Sequence, residues 1–585
     1  MRPRYLAVVG PAEDGARMAR RDRIIAFGQR QGLTPAFETD NLLVLVGKGG
    51  AVHTVDGRGL VVGTLFPRAQ GAPAMRDTDT QSALALGNDA PAALIGNYWG
   101  SYVAFLTDEH GGLQIVRAPF GELPCYYQRH DGWIAIASDV ALLGGGGASA
   151  PAIDWRAVGR YLVTSELRQQ ATCLSQVAEV LGGMQLTIRY GTATNSTLWS
   201  PWDHVTPDAA SGAMATAAAA VGATARDCVG RWGAQFDHVL VGVSGGLDSS
   251  IVATCLHDAG RTFSCMTLVT DDPLGDERHY ARLLTEAVGR PLLERYRTMA
   301  GVDLECSNAA HLPRPVGRSF AQESERLNIV LAREIGADAI FRGGGGDNVF
   351  CYLQSVAPIS DRLLTSGPGR VALETAVDIC QLADCTLWTA GWRAMRRAWF
   401  RPVRHNLPGD TIFLAKGMAD AANDSRSHPW LEAPPGALPG KAAHIALLLC
   451  MQNHMEGLAP AYDLPMLSPL MSQPLVECCL RIPSWLWCTG GHNRMVARVA
   501  FAAELPQAII DRRSKGTPDS FVADIFDMRR AQIRELLGDG LLARHGLLDL
   551  EAVLAVIADT RPISTHEFSR IMQLVDVEAW TRAWA

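Results

Sequence analysis

Residues 239–250 read Val-Leu-Val-Gly-Val-Ser-Gly-Gly-Leu-Asp-Ser-Ser, an apolar β-branched run ending in a glycine pair. Ile251-Val-Ala and Cys255-Leu256 then open an apolar helix. Gly245 and Gly246 let the backbone turn sharply and approach a ligand with no Cβ in the way. The amides of that turn, at the positive end of the following helix, make a site for phosphate oxygens. The hydroxyls of Ser244, Ser249 and Ser250 add donors, and Asp248 is placed to hold a Mg²⁺ bridging those oxygens. The turn lacks the Gly-Lys-Ser/Thr ending of the loop used by phosphoryl-transfer NTPases.

Outward from this loop the pattern alternates. Residues 210–232 predict an alanine-rich helix, Thr262–Thr270 a strand, 277–289 and 319–336 helices, and Asp338–Phe341 a further strand. Strands alternating with helices imply a parallel sheet covered on its faces, with ligands at the carboxyl ends of the strands. That is where the Ser-Gly-Gly turn falls. From about residue 370 the pattern is mostly helical, with tryptophan at 388, 392, 399, 430, 485 and 487. Those tryptophans read as core anchors or as contacts for a bound chain.

Upstream, residues 1–205 are rich in strands and turns. Asn41–Val46, Gly59–Phe66, Tyr102–Leu106 and Trp133–Ala137 are short β-type runs. They suggest sheets packed face to face, with a helix near 81–87, a four-glycine loop at 144–147, and a helix over 153–163 capped by Asp154. The polar, proline-containing stretch Trp199–Pro207 sets the boundary between residues 1–205 and 206–585.

The 585 residues exceed one core. A composition of 48% apolar and 19% charged residues excludes disorder as the default. The formal charge of −7 argues against a nucleic-acid partner. No apolar run reaches the about 18 residues that span a bilayer, and the start lacks the form of a signal peptide. Thirteen cysteines without a Cys-x-x-Cys pair point away from a metal cluster and toward a reducing, cytoplasmic setting.

The Ser-Gly-Gly-Leu-Asp-Ser loop resembles the pyrophosphate loop of enzymes that split ATP into AMP and pyrophosphate. Three further segments resemble the asparagine synthetase family, in its order. Arg117–Tyr127 with Ala137–Asp139 is similar to the end of its N-terminal glutaminase-type domain. Arg342-Gly-Gly-Gly-Gly-Asp-Asn-Val-Phe350 is similar to its second synthetase loop, and Arg512-Arg-Ser-Lys-Gly516 to its late basic loop. The resemblance implies an N-terminal glutaminase-like (Ntn-type) α+β sandwich, then a parallel-sheet α/β pyrophosphate-loop synthetase domain with a helical C-terminal part. It implies ATP and Mg²⁺ as cofactors. The nucleotide would be held by Val243, Ser244, Gly245, Gly246, Leu247, Asp248, Ser249, Ser250, Cys265 and Gly343. The metal would be held by Asp248 and Asp347, and Lys515 would act with both in catalysis.

Two departures shape the expected activity. Working glutaminases of this family carry cysteine at position 2, whereas here it is arginine, so residues 1–205 are expected to be a degenerate glutaminase fold kept for structure. In the second loop Gly344 and Asn348 replace the family's two glutamates. The first of these is the acid–base group that asparagine and β-lactam synthetases use on the attacking amine.

Further strings, His428-Pro-Trp-Leu, Pro439-Gly-Lys-Ala-Ala-His-Ile, Ser472–Glu477, Gly490-Gly-His-Asn-Arg494 and Trp99-Gly-Ser-Tyr-Val, resemble the lasso-peptide macrocyclase branch. That branch implies an isopeptide ring closed between an Asp or Glu side chain and the N-terminal amine of a core peptide. Its implied partners are the core peptide and the pathway's leader peptidase and leader-recognition protein, with no nucleic acid and no membrane span. An ammonia-dependent asparagine synthetase or small-molecule lactam synthetase is the alternative. Several residues stay open at this level. Asp276-Glu277 either position metal or substrate or cap a helix. Lys441 and His444 are either branch-typical or a solvent-facing helix start. His492 and Arg494 contact either phosphate or acids.

Overall fold

The computed structural model describes the chain apart from residues 1–2, 11–16, 56, 70, 72–74, 76–83, 85, 88, 131, 147–150, 166, 190, 208–211, 271–274, 402, 404–406, 408, 419–427, 514–518, 560 and 562–563. The N-terminal part is a sandwich of two antiparallel six-stranded sheets. Its strands are β1 (Tyr5–Val9), β2 (Leu33–Glu38), β3 (Leu42–Gly47), β4 (Val52–Val55), β5 (Gly59–Pro67), β6 (Tyr98–Thr107), β7 (Leu113–Arg117), β8 (Tyr126–His130), β9 (Trp133–Ala137), β10 (Val177–Glu179), β11 (Met184–Arg189) and β12 (Thr192–Thr197). One sheet runs β10-β8-β9-β1-β3-β2 and the other β12-β11-β7-β6-β5-β4. Between them Tyr5, Val44, Val62, Phe105, Ile115, Ile136 and Leu186 form one buried cluster. Alternating side chains from both inner faces meet there, as sheet-on-sheet packing requires.

The four expected strands are all present. The helix expected at 153–163 is Trp155–Val163, and Asp154 accepts a hydrogen bond from the Ala157 amide at 3.0 Å. The helix expected near 81–87 falls largely outside the described residues; Ala90–Asn97 is the helix that leads into β6. The glycine run closes a short helix, Val140–Leu143, and makes a 3₁₀ turn over Gly144–Gly146.

The second part holds a five-stranded, wholly parallel sheet ordered β15-β14-β13-β16-β17. Its strands are β13 (Val239–Gly242), β14 (Phe263–Val269), β15 (Leu292–Tyr296), β16 (Ala339–Arg342) and β17 (Met466–Leu467). Helices Met214–Gly233, Leu247–Asp258, Arg278–Ala287 and Ser319–Glu334 occupy the expected intervals. β15 and β17 did not stand out in sequence, because one has no fully buried residue and the other is two residues long. Among the described residues no helix is long and apolar enough to cross a membrane.

The two parts are joined by buried charge. Arg117, Arg168 and Glu179 from the sandwich meet Arg314 and Glu456 from the second part, and all five are buried. Arg117 reaches Glu179 at 2.6 Å, Arg314 reaches Glu456 at 2.6 Å and Glu179 at 3.2 Å, and Arg168 pairs with both glutamates. Nearby, Glu477 accepts from Arg68 at 2.6 Å and from the Trp199 indole at 2.9 Å.

Candidate functional site

β13 ends at Gly242 and the chain turns through Val243–Gly246 into the helix Leu247–Asp258. Gly245 has φ +61, and a Cβ there would lie 2.2 Å from Cβ of Tyr280, so the turn accepts only glycine. The hydroxyls organise the turn itself. The Gly246 amide donates to Ser244 Oγ at 3.3 Å, and Ser250 Oγ donates to the Gly246 carbonyl at 2.8 Å.

The neighbouring strand β16 delivers the second loop against this one. A Cβ on Gly343 would sit 2.5 Å from the Ser249 amide nitrogen, and one on Gly346 would sit 2.3 Å from Cγ of Asp248. The two loops therefore touch backbone to backbone, which brings Asp347 beside Asp248. Gly343→Ala is expected to force the loops apart and lower ATP-dependent activity about a hundredfold, the effect of a displacement near 1 Å. Gly344→Ala is the comparison: its nearest new neighbour is the Ser468 hydroxyl at 3.2 Å, and steady-state kinetics of the two variants should differ by most of that factor.

The loops frame a cavity of about 510 Å³ lined by Ser244, Gly246, Leu247, Asp248, Ser249, Gly343, Asp347 and a set of cations. An adjoining cavity of about 280 Å³ shares Gly242 and Ser244, and Val243, Met266, Thr267, Glu277, Arg297 and Asn328 are among its walls. Together they offer a polar chamber between the two loops and a second chamber at the carboxyl ends of β13 and β14.

Arg494 dominates the electrostatics. Its Nη1 lies 2.9 and 2.8 Å from the two Asp248 carboxylate oxygens and 2.5 Å from Asp347 Oδ1. The guanidinium also stands 5.4 Å from the Tyr352 ring centre. Arg498, in the short helix Met495–Ala500 that follows Arg494, is held by the Asn493 carbonyl at 2.8 Å and the Asn493 side chain at 2.9 Å. Burial, with Arg494 adding to it, lowers its pKa to about 10. Arg512 donates to the Ser244 carbonyl at 3.0 Å and to Glu277 at 2.7 Å, with its guanidinium 4.1 Å from the Tyr280 ring centre. Arg513 meets His492 at 3.1 Å, and burial together with that arginine lowers the His492 pKa.

Two carboxylates that converge on one guanidinium nitrogen can converge equally on one small divalent cation. Mg²⁺ takes one or two carboxylates and completes its shell with phosphate oxygens and water. Among the described residues no group of three or more His, Cys, Asp or Glu side chains forms a metal cage. The donor set thus fits a metal that arrives with a phosphate ligand.

The structure brings together Ser244, Gly246, Leu247, Asp248, Ser249, Gly343 and Asp347, places Val243 in the adjoining wall, and leaves Gly245 to shape the turn. Ser250 is fully buried, and its hydroxyl serves the helix rather than the cavity wall. Cys265 is fully buried in the core and lines neither cavity. Lys515 lies outside the described residues. Asp276 accepts from the Arg278 amide at 3.1 Å and pairs with the Arg278 guanidinium at 2.7 Å, whereas Glu277 turns toward Arg512.

Lys441 and His444 are buried, which corrects the solvent-facing reading. Lys441 donates to the Leu480 carbonyl and, at 2.6 Å, to that of Ile482, so its charge meets the C-terminal end of the helix Gln473–Arg481. Burial lowers its pKa to about 8. Cys125 and Cys173 are buried thiols pushed up to about 12 by desolvation, the opposite of an activated nucleophile. Sequence reasoning missed Arg498, Tyr352, Arg297 and Asn328; only Arg498, an arginine at i+4 from Arg494 inside an apolar helix, carried a readable signal.

Residues 68–199 match a glutamine amidotransferase domain, and residues 223–582 match the asparagine synthase family. A search of curated proteins returns no match. Among solved structures, the allosteric regulatory enzyme of purine biosynthesis overlaps 50% of this chain and 80% of its own at 10% identity and a TM-score of 0.22. The glutamine phosphoribosylpyrophosphate amidotransferase from B. subtilis, complexed with ADP and GMP, overlaps 58% of this chain and 90% of its own at 11% identity and a TM-score of 0.21. Both likenesses are partial, and nothing about this chain's chemistry follows from them. The synthase match covers more than half of the sequence and includes both loops of the cavity, so the chain belongs to the asparagine synthase family, whose chemistry is ATP-dependent amide-bond formation.

Proposed function

We propose that this chain closes a macrocycle in a ribosomally made core peptide, joining an Asp or Glu side chain to the peptide's own N-terminal amine as an isopeptide bond. The observation that carries the reading is the second loop. It keeps Asp347 in the cavity yet has Gly344 and Asn348 where the family's glutamates stand, and the Asn348 amide is spent on the Leu447 carbonyl at 2.6 Å. Adenylation groups are retained, while the acid–base group for a free small amine is gone.

The peptide carboxylate would attack the α-phosphorus of ATP with loss of pyrophosphate. The N-terminal amine would then attack the acyl carbon, AMP would leave, and the amine's proton would pass to solvent. Bound Mg²⁺ would screen the phosphate charge. The turn amides, Ser244, Ser249, Arg494 and Arg512 would hold the leaving pyrophosphate, joined by Lys515 of the late basic loop. An α-amine has a pKa near ~8, so an appreciable fraction is already neutral and needs little help from a base. Ring closure within one bound chain adds the advantage of an intramolecular reaction.

On this reading residues 1–205 are a degenerate glutaminase domain kept for structure, and residues 206–585 form the cyclase. The partners are the core peptide, a leader peptidase and a leader-recognition protein, and the setting is the cytoplasm. Mass spectrometry of a core peptide incubated with the protein, ATP and Mg²⁺ should show loss of one water with release of AMP and pyrophosphate. No mass change with the cognate peptide, but amide formation from free aspartate and ammonia, would assign the chain to ammonia-dependent asparagine synthesis instead.

A further inference from the structure

The helix Leu387–Phe400 packs Ala390 and Ala394 against its neighbours and turns its aromatic side outward. Trp388 is 84% exposed, Trp392 59%, Trp399 50% and Phe400 78%. Trp388, Trp392, Met395 and Trp399 sit at i, i+4, i+7 and i+11, so they form one ridge. Single exposed apolar residues need no explanation, but a contiguous ridge of this size marks an interaction site.

Charge indicates what the ridge meets. Between Asp384 and Asp410 the sequence holds Arg393, Arg396, Arg397, Arg401 and Arg404 and no acidic residue, in a chain whose net charge is −7. Arg393, Arg396 and Arg401 are exposed beside the ridge. A second copy of the same face would set these arginines against their equivalents, a repulsive arrangement. A convex helix with tryptophans at its crest and arginines on its flank instead has the form of a helix lying in a bilayer interface. Indole rings favour the headgroup level, and each arginine gains from an anionic lipid surface.

We propose that the helix Leu387–Phe400 docks this protein peripherally on anionic lipid bilayers, with Trp388, Trp392 and Trp399 inserted at headgroup depth and Arg393, Arg396 and Arg401 on the lipid phosphates. The contact lies along the surface and involves no membrane span. It is independent of the proposed reaction.

The test is co-sedimentation of the full chain with phosphatidylcholine vesicles, with and without about one third phosphatidylglycerol. Binding is expected only with the anionic lipid and should weaken as salt rises. Arg393→Gln with Arg396→Gln should weaken it about thirtyfold, and Trp388→Ser with Trp392→Ser should remove it. ATP–pyrophosphate exchange should stay unchanged in both pairs, since neither touches the cavity. Should the tryptophan pair fail to fold, the arginine pair decides alone. Equal binding to both vesicle types, no binding, or indifference of binding to the arginine pair would overturn the proposal. So would a concentration-dependent dimer, seen by light scattering, that the tryptophan pair abolishes.

Discussion

Asp248→Asn should lower ATP-dependent amide formation about a thousandfold, at the upper end for removing one charge-stabilising group from a site of this kind. The substitution keeps size and hydrogen-bonding capacity but removes the negative charge that faces Arg494 and would face a metal. Asp347 remains 2.5 Å from the same guanidinium nitrogen, so Arg494 keeps one ion pair and the loop should stay folded. Thermal unfolding close to that of the parent, with pyrophosphate exchange lost, is the expected pair of results. Equal loss of stability and activity would make Asp248 a scaffold residue instead.

The second large effect concerns stability. Glu456→Ala should cost about 3–5 kcal/mol, the usual consequence of removing one partner from a buried ion-pair network. It leaves Arg117, Arg168 and Arg314 buried around Glu179 alone. Urea unfolding followed by a probe in each part should show an earlier transition, and a split one if the network couples them. Burial alone would raise the pKa values of Glu179 and Glu456, but the surrounding guanidiniums more than offset this and hold both below the ordinary glutamate value. A depressed folded pKa stabilises above the unfolded value, near ~4.3, and that contribution fades as pH falls through the folded one. The network should therefore hold at neutral pH and mildly acidic pH and fail only in stronger acid.

The parallel sheet and its loop were legible because a β-branched run, two glycines and an apolar helix occur in unbroken order, so local pattern and tertiary role agree. The approach of Asp347 to Asp248 was legible only through resemblance. Nothing local to residues 342–350 says that Gly343 will lie against the Ser249 amide. The tryptophans show the limit most clearly. Within the one helix Leu387–Phe400, Ala390 and Ala394 are buried while Trp388, Trp392 and Trp399 are exposed, the reverse of what residue type alone suggests. Which face of a helix meets the core depends on partners far away in the chain. Lys441 misled for a related reason: its position at a helix start is local, while the carbonyls that accept from it belong to residues 480 and 482.

Arg494 adopts a left-handed backbone, φ +54, to place its side chain between the two aspartates. The folded chain thus carries its own counter-ion where two anionic side chains would otherwise repel each other. On the proposed function, entry of a nucleotide with its divalent ion would be an ion exchange: the guanidinium would give up the carboxylates and turn to the incoming phosphates, so little net charge would be created or lost. A site built this way would discriminate between the complete ion–nucleotide pair and either component alone, because only the pair would supply both halves of the trade.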